Sequence, residues 1–231
     1  MIIITCEHGG NKIPKPYQRL FKGHEELLNS HRGYDLGAVQ TARMMAERFN
    51  APLFAAFTSR LLVDLNRSVG HPRLFSKITR SWTPAVKKSI LDRYYFPHRD
   101  PIQRAVTKAM ARKKRVLHIA CHSFTPVLDG QVRDMDVGLL YDPRREAEKE
   151  FCRQWKAAIR ESHPIYKISS NEPYKGVSDG LATYFRTLYP ERYIGIELEL
   201  NQRTFVQGWR HWRDLSEAVL DGLETAIRSK V

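Results

Sequence analysis

Short apolar runs alternate with longer stretches in which apolar residues return every three or four positions. The short runs predict strands at 1–7 (MIIITCE), 52–57, 61–65 (LLVDL), 116–121 (VLHIAC), 137–141 (VGLLY) and 193–200 (YIGIELEL). The periodic stretches predict helices at 35–49, 82–94, 98–114, 144–161, 178–188 and 208–229. In the last of these, Trp209, Trp212, Leu215, Val219, Leu220 and Leu223 fall near helical spacing, as one buried face requires. Strands interleaved with helices predict an α/β fold with a mixed, mostly parallel central sheet flanked by helices. No Pro-, Gly- or Ser-rich linker and no low-complexity tract interrupts the pattern, so one domain over residues 1–231 is expected.

Composition narrows the class. With 231 residues, 42% hydrophobic and 27% charged, the chain is ordinary globular material that can bury a large core without staples. Its three cysteines, Cys6, Cys121 and Cys152, form no CxxC pair, which points to reduced thiols. The N-terminal apolar run is too short for a signal peptide, and no stretch reaches membrane length. A cytoplasmic protein with no membrane partner is the expectation; nothing in the sequence sets an oligomeric state.

The formal charge of +13 supports two readings. One is a basic face for nucleic acid. The other is a basic housing around a small anionic substrate, with solvated Lys and Arg on helices. The cations are spread along the chain, and the densest run, ARKKR at 111–115, closes a predicted helix where cations suit the dipole. There is no zinc-finger spacing, aromatic ribonucleoprotein motif or repeat, so nucleic acid is the lesser reading.

In open α/β sheets, ligands bind beyond the carboxyl ends of strands. Four predicted strand ends carry reactive groups: His8, Asn66 with Arg67, His122 with Ser123, and Glu199. Two imidazoles at matching strand ends, His8 and His122, begin a zinc site. A catalytic zinc takes a third protein ligand, and Glu7, Asn11 and Asp35 are the candidates. Strand alternation turns Glu7 away from His8, and Asp35 also suits a helix cap. Arg67 beside Asn66 suits a substrate carboxylate, and an ion pair of Asp64 with one of the arginines Arg60 and Arg67 would fix the loop; one arginine paired and one free satisfies both readings. Glu197 and Glu199 share one face of an apolar strand, where burial is costly without a partner. Either carboxylate suits proton transfer at an activated water. Arg133, ahead of a strand, and Ser178, at a predicted helix start, are softer binding candidates. GxSxG, GxxxxGK[ST] and HExxH are absent.

Taken together, CEHGGNKIP, RGYDLGA, LVDLNRS, CHSFTPVLDG with DVGLLYDP, and IELELNQ resemble the N-formylglutamate amidohydrolase family over nearly the whole chain. The resemblance implies a hydrolase-type, zinc exopeptidase-like α/β fold related to zinc carboxypeptidases and aspartoacylase. It implies hydrolysis of a small N-acyl amino acid such as N-formylglutamate, a place in histidine catabolism, and a zinc-bound water activated by a glutamate. Carried onto this sequence, it implies zinc at His8 and His122, Glu199 as base and acid, Arg60 polarising the amide carbonyl, and Asn66 with Arg67 on the substrate carboxylate. The wider group's pattern is His-x-x-Glu, and here the fourth position is Asn11. Asp35 is the replacement candidate for the third ligand, with Asn11 and Glu7 as the alternatives. The alternatives are a zinc peptidase or amidase on a larger substrate, and a basic nucleic-acid-binding protein without enzymatic activity.

Overall fold

The computed structural model describes residues 1–229. Among them eight strands occur in chain order: β1 (Ile2–Cys6), β2 (Leu53–Ala55), β3 (Val116–Phe124), β4 (Val127–Leu128), β5 (Gln131–Val132), β6 (Val137–Leu140), β7 (Ile168–Ser170) and β8 (Tyr193–Asn201). The helices are α1 (Glu25–Leu28), α2 (Ala38–Arg48), α3 (Pro84–Ile90), α4 (Phe96–Ala111), α5 (Glu146–Ser162), α6 (Leu181–Leu188), α7 (Gln202–Val206) and α8 (Trp209–Arg228). Six strands form one sheet in the order β2-β1-β3-β8-β6-β7, and β4 pairs with β5 in a separate hairpin. Every neighbouring pair in the sheet is parallel except β6 with β8, so the expected mixed, mostly parallel sheet is present.

Both faces of the sheet are covered, which is why its strands read as continuous apolar runs. On β1, Ile4 and Cys6 join the core cluster that holds Val39, Trp155, Trp212 and Leu223 from α2, α5 and α8. Ile3 joins the cluster of Ile102 and Val106 from α4 and Phe185 from α6. The parallel strands β1, β3 and β8 therefore bring their carboxyl ends to one edge between two helix layers. In α8 the buried stripe runs from Trp212 to Ala226, while Trp209 is about half exposed and falls outside the expected face.

The segment LLVDL is not a strand. Leu61, Leu62 and Leu65 lie in turns and Val63 in irregular backbone, and all four are buried with Tyr17, Phe21, Leu74, Ile90 and Tyr95 in a third cluster. The apolar run arises because this loop is covered on all sides. Its buried carbonyls still need donors. Thr79 Oγ1 donates to the Leu62 carbonyl (3.2 Å), Arg99 Nη1 to those of Leu65 (3.3 Å) and Arg67 (3.1 Å), and Tyr95 Oη to that of Arg67 (2.7 Å). The strand β7 and the β4–β5 hairpin are too short to leave a pattern in the sequence.

Candidate active site

β1 stops at Cys6 and the chain turns at once, so Glu7 and His8 escape strand alternation and both are buried. The turn needs both glycines for backbone packing. A Cβ on Gly9 would lie 2.9 Å from the Ala56 carbonyl oxygen, and one on Gly10 would lie 2.9 Å from that of Phe57. The backbone N–H of Asp35 donates to the His8 carbonyl (2.9 Å), which ties RGYDLGA to the turn. Asp35 is not the cap of α2. That position is Gly37, held at φ +82° with no room for a side chain against Trp212 and Phe205.

The Asp35 side chain points instead at the two histidines. Its Oδ2 lies 3.3 Å from His8 Nδ1 and 2.7 Å from His122 Nδ1. One donor atom from each of His8, Asp35 and His122 lies within 4.8 Å of the other two, and all three residues are buried. The far nitrogens are backed by acids: His8 Nε2 lies 2.7 Å from Asp64 Oδ1, and His122 Nε2 lies 3.3 Å from Glu7 Oε2. Arg60 spans Asp64 (2.8 Å) and Asp35 (3.5 Å). Burial works against ionising Asp35, but His8 and His122 hold its carboxyl well below the usual range. Burial likewise opposes a charge on His122, and contacts with Asp35 and Glu7 outweigh it and push its pKa well up.

This donor set fits a divalent cation such as zinc: two imidazole nitrogens and a carboxylate oxygen converge, and a further carboxylate lies beside the far nitrogen of each ring. Charge fits as well. With neutral imidazoles, the carboxylates of Asp35, Asp64 and Glu7 outnumber the single guanidinium of Arg60 that pairs with two of them.

Across the sheet, His122 stands in register with Glu199 of β8. Glu199 is buried and its Oε2 has no hydrogen-bond partner. Burial, reinforced by Asp35 and Glu197 against the pull of His122, raises its pKa to about 8. Such a carboxyl can both take and give a proton near neutrality. Backbone crowds it closely, since a Cβ on neighbouring Gly138 would lie 3.3 Å from its Cβ.

Asn66 and Arg67 follow the buried loop. The Asn66 amide is engaged: Oδ1 accepts from the Leu181 N–H (2.7 Å) and Nδ2 donates to Glu197 Oε1 (3.1 Å). It thereby joins the start of α6 to β8. Gly180 permits that approach, because a Cβ there would lie 2.9 Å from Glu197 Oε1. Arg67 Nη1 donates to the Asp179 carbonyl, its Nε is buried without a partner, and no carboxylate among the described residues pairs with it. It is a cation held by backbone and available to an anion.

His8, Asp35, Arg60, Asn66, Arg67, Ser178 and Glu199 line one crevice of about 940 Å³ with His122, Tyr174 and Glu197. Ser178 reaches it from the loop before α6, not from the helix start. Arg133 lies outside the lining and braces it, donating to Tyr174 Oη (3.0 Å) and stacking on that ring (4.9 Å). Asn11 faces elsewhere, donating to the Leu28 carbonyl and to Asn29. Glu7 sits behind His122, apart from the triad. His98 and Tyr174 are residues that sequence reasoning missed. His98 sits in the first turn of α4 and Tyr174 in a loop, and neither carries a local signal.

The fold and site define an α/β protein with a polar crevice at the carboxyl edge of a mostly parallel sheet. Within that class the chain belongs to the N-formylglutamate amidohydrolase family, whose sequence profile matches residues 1–206, and it is a hydrolase acting on amide bonds. Among solved structures, a gene product of Agrobacterium tumefaciens is similar at 22% identity and a TM-score of 0.85, over 99% of this chain and 91% of that one. An N-formylglutamate amidohydrolase from Ralstonia eutropha is similar at 19% identity and a TM-score of 0.73, over 100% of this chain and 94% of that one. No curated protein matches the chain.

Proposed function

We propose that the chain is a zinc-dependent amidohydrolase of small N-acylated acidic amino acids, with N-formylglutamate the leading substrate. The observation that carries this is the buried convergence of His8, Asp35 and His122 in the same crevice as Glu199 and an unpaired Arg67. His8 Nδ1, His122 Nδ1 and the Asp35 carboxylate would hold the cation, which when bound supplies Lewis acidity to the amide carbonyl and to an attacking water. Glu199 takes the water's proton and passes it to the departing amine nitrogen. Arg60, locked by Asp64 and Asp35, offers its guanidinium to the charge that develops on the carbonyl oxygen. Arg67 binds the substrate carboxylate, and Asn66 holds the loop that presents it. Ser178 contributes from the opposite rim, and Arg133 acts through Tyr174.

An anionic substrate suits the crevice mouth. Arg32, Arg73, Lys77, Arg80 and Lys175 line it, and none has an ion-pair partner among the described residues. No helix among the described residues is long and apolar enough to cross a membrane. A larger amide substrate is the second reading, supported by a crevice volume at the upper end of those that hold drug-sized ligands. The working unit we propose is the whole chain, because α8, beyond the matched residues, shares its core with β1, β3 and β8. Elemental analysis tests the cation assignment. Purified protein carries about one zinc or similar divalent ion per chain, and His8→Ala carries almost none. Equal metal in both would overturn the assignment.

A further inference from the structure

Glu7 is fully buried, yet neither of its carboxylate oxygens makes a hydrogen bond. Its neighbours are two imidazoles, His122 Nε2 at 3.3 Å from Oε2 and His98 Nε2 at 3.7 Å from Oε1. His98 Nε2 is itself buried and unpartnered. Desolvating a carboxylate in such a place is costly unless something answers it. Its position behind His122 matches that of Asp64 behind His8, so each histidine of the triad has an acid at its far nitrogen.

The arrangement at His122 is contested. Asn66 Nδ2 lies 3.4 Å from the same Nε2. An amide N–H donating there would place the ring hydrogen on Nδ1 and take the lone pair away from the triad. A carboxylate can only accept, so Glu7 demands a hydrogen on Nε2; the Nδ1 that faces the Asp35 carboxylate at 2.7 Å is then the nitrogen whose hydrogen a bound cation would replace. Asn66 Nδ2 has another acceptor in Glu197 Oε1, at 3.1 Å.

Resting on the reading that the triad holds a cation, we propose that Glu7 is a positioning residue that fixes His122 with Nε2–H toward itself and Nδ1 toward the cation, with His98 closing the other side of its carboxylate. The two residues that follow strand β1 thus divide the work: His8 binds the ion, and Glu7 sets the orientation of the partner ligand on β3. Period-two alternation hides this, because it holds only as far as Cys6.

The test is zinc affinity by competition with a chromophoric chelator for wild type, His8→Ala and Glu7→Gln, together with long-range ¹H–¹⁵N spectra of zinc-loaded wild type and Glu7→Gln. Glu7→Gln conserves shape but replaces an obligate acceptor with a group that also donates. It should weaken zinc binding about 10- to 100-fold and shift the His122 Nε2–H resonance, with the fold checked by circular dichroism. A folded Glu7→Gln with wild-type affinity and an unmoved resonance would overturn the proposal. If Glu7→Gln does not fold, the wild-type spectrum decides: His122 bound through Nδ1 with Nε2–H present supports it, and binding through Nε2 overturns it. Wild type that binds no zinc, or binds it no better than His8→Ala, would remove the cation reading itself.

Discussion

At the scale of single residues, the function we propose separates holding an ion from moving a proton. Asp35 is kept ionised by two imidazoles, while Glu199, buried without a hydrogen-bond partner at Oε2, is kept near neutrality at about 8. Replacing Glu199 with Gln removes the proton carrier and leaves the triad intact. Hydrolysis should fall roughly 100- to 10,000-fold while metal content stays at the wild-type level. A variant that keeps most of its rate would give the base role to Glu197. His8 and His122 were legible as candidates because each follows a short apolar run; His8 lies just past β1, whereas β3 runs on to Phe124 and holds His122 two residues before its end. Asp35 was legible only as one of three candidates, since a cap and a ligand look alike one turn before a helix. What separates them is Gly37, whose left-handed backbone takes the cap position and frees the carboxylate.

At the scale of elements, the buried loop 61–67 is the least regular part of the site and the most dependent on distant donors. Arg99 of α4 is buried with no carboxylate partner among the described residues, sits against Tyr95 and Tyr184, and caps the carbonyls of Leu65 and Arg67. Arg99→Met keeps the bulk but strands those carbonyls. It should lose roughly 2 to 4 kcal/mol of stability and raise KM, because Arg67 loses its support. Urea unfolding and steady-state kinetics check both; a variant as stable as wild type would show that water replaces the guanidinium. The long elements were readable from their periodicity: the predicted helices at 144–161 and 208–229 differ from α5 and α8 by at most two residues at either end. LLVDL was not readable, because a run buried on every side looks the same as a loop or as a central strand. Only the tertiary donors Thr79, Tyr95 and Arg99 make the loop affordable.

At the scale of the whole molecule, one buried histidine makes stability sensitive to acid. His118 of β3 is fully buried between Thr5 (2.9 Å) and Tyr193 Oη (2.6 Å). Burial lowers its pKa from 6.5 to about 4. Above the unfolded value both states are neutral and the group contributes nothing. As pH falls from 6.5 toward 4 the unfolded chain takes the proton and the folded one does not, so stability drops by about 3 kcal/mol from this group. Below the folded value the loss is complete. His118→Gln should remove that share of the acid-induced loss in denaturant midpoints measured between pH 7 and 4, and a parallel pair of curves would contradict the assignment. The net charge of +13 was visible from the start, but its role follows only from place: the unpaired cations cluster at the mouth of a crevice, where they draw in small anions.

The most direct test of the account is formate release from N-formyl-L-glutamate by the purified chain, measured before chelation, after chelation and after zinc is returned. The account predicts release that disappears with the metal, recovers with zinc, and is weaker on an N-formyl amino acid with an uncharged side chain. No formate release from any N-formyl amino acid by the zinc-loaded, folded protein, or release that survives complete removal of metal, would contradict it.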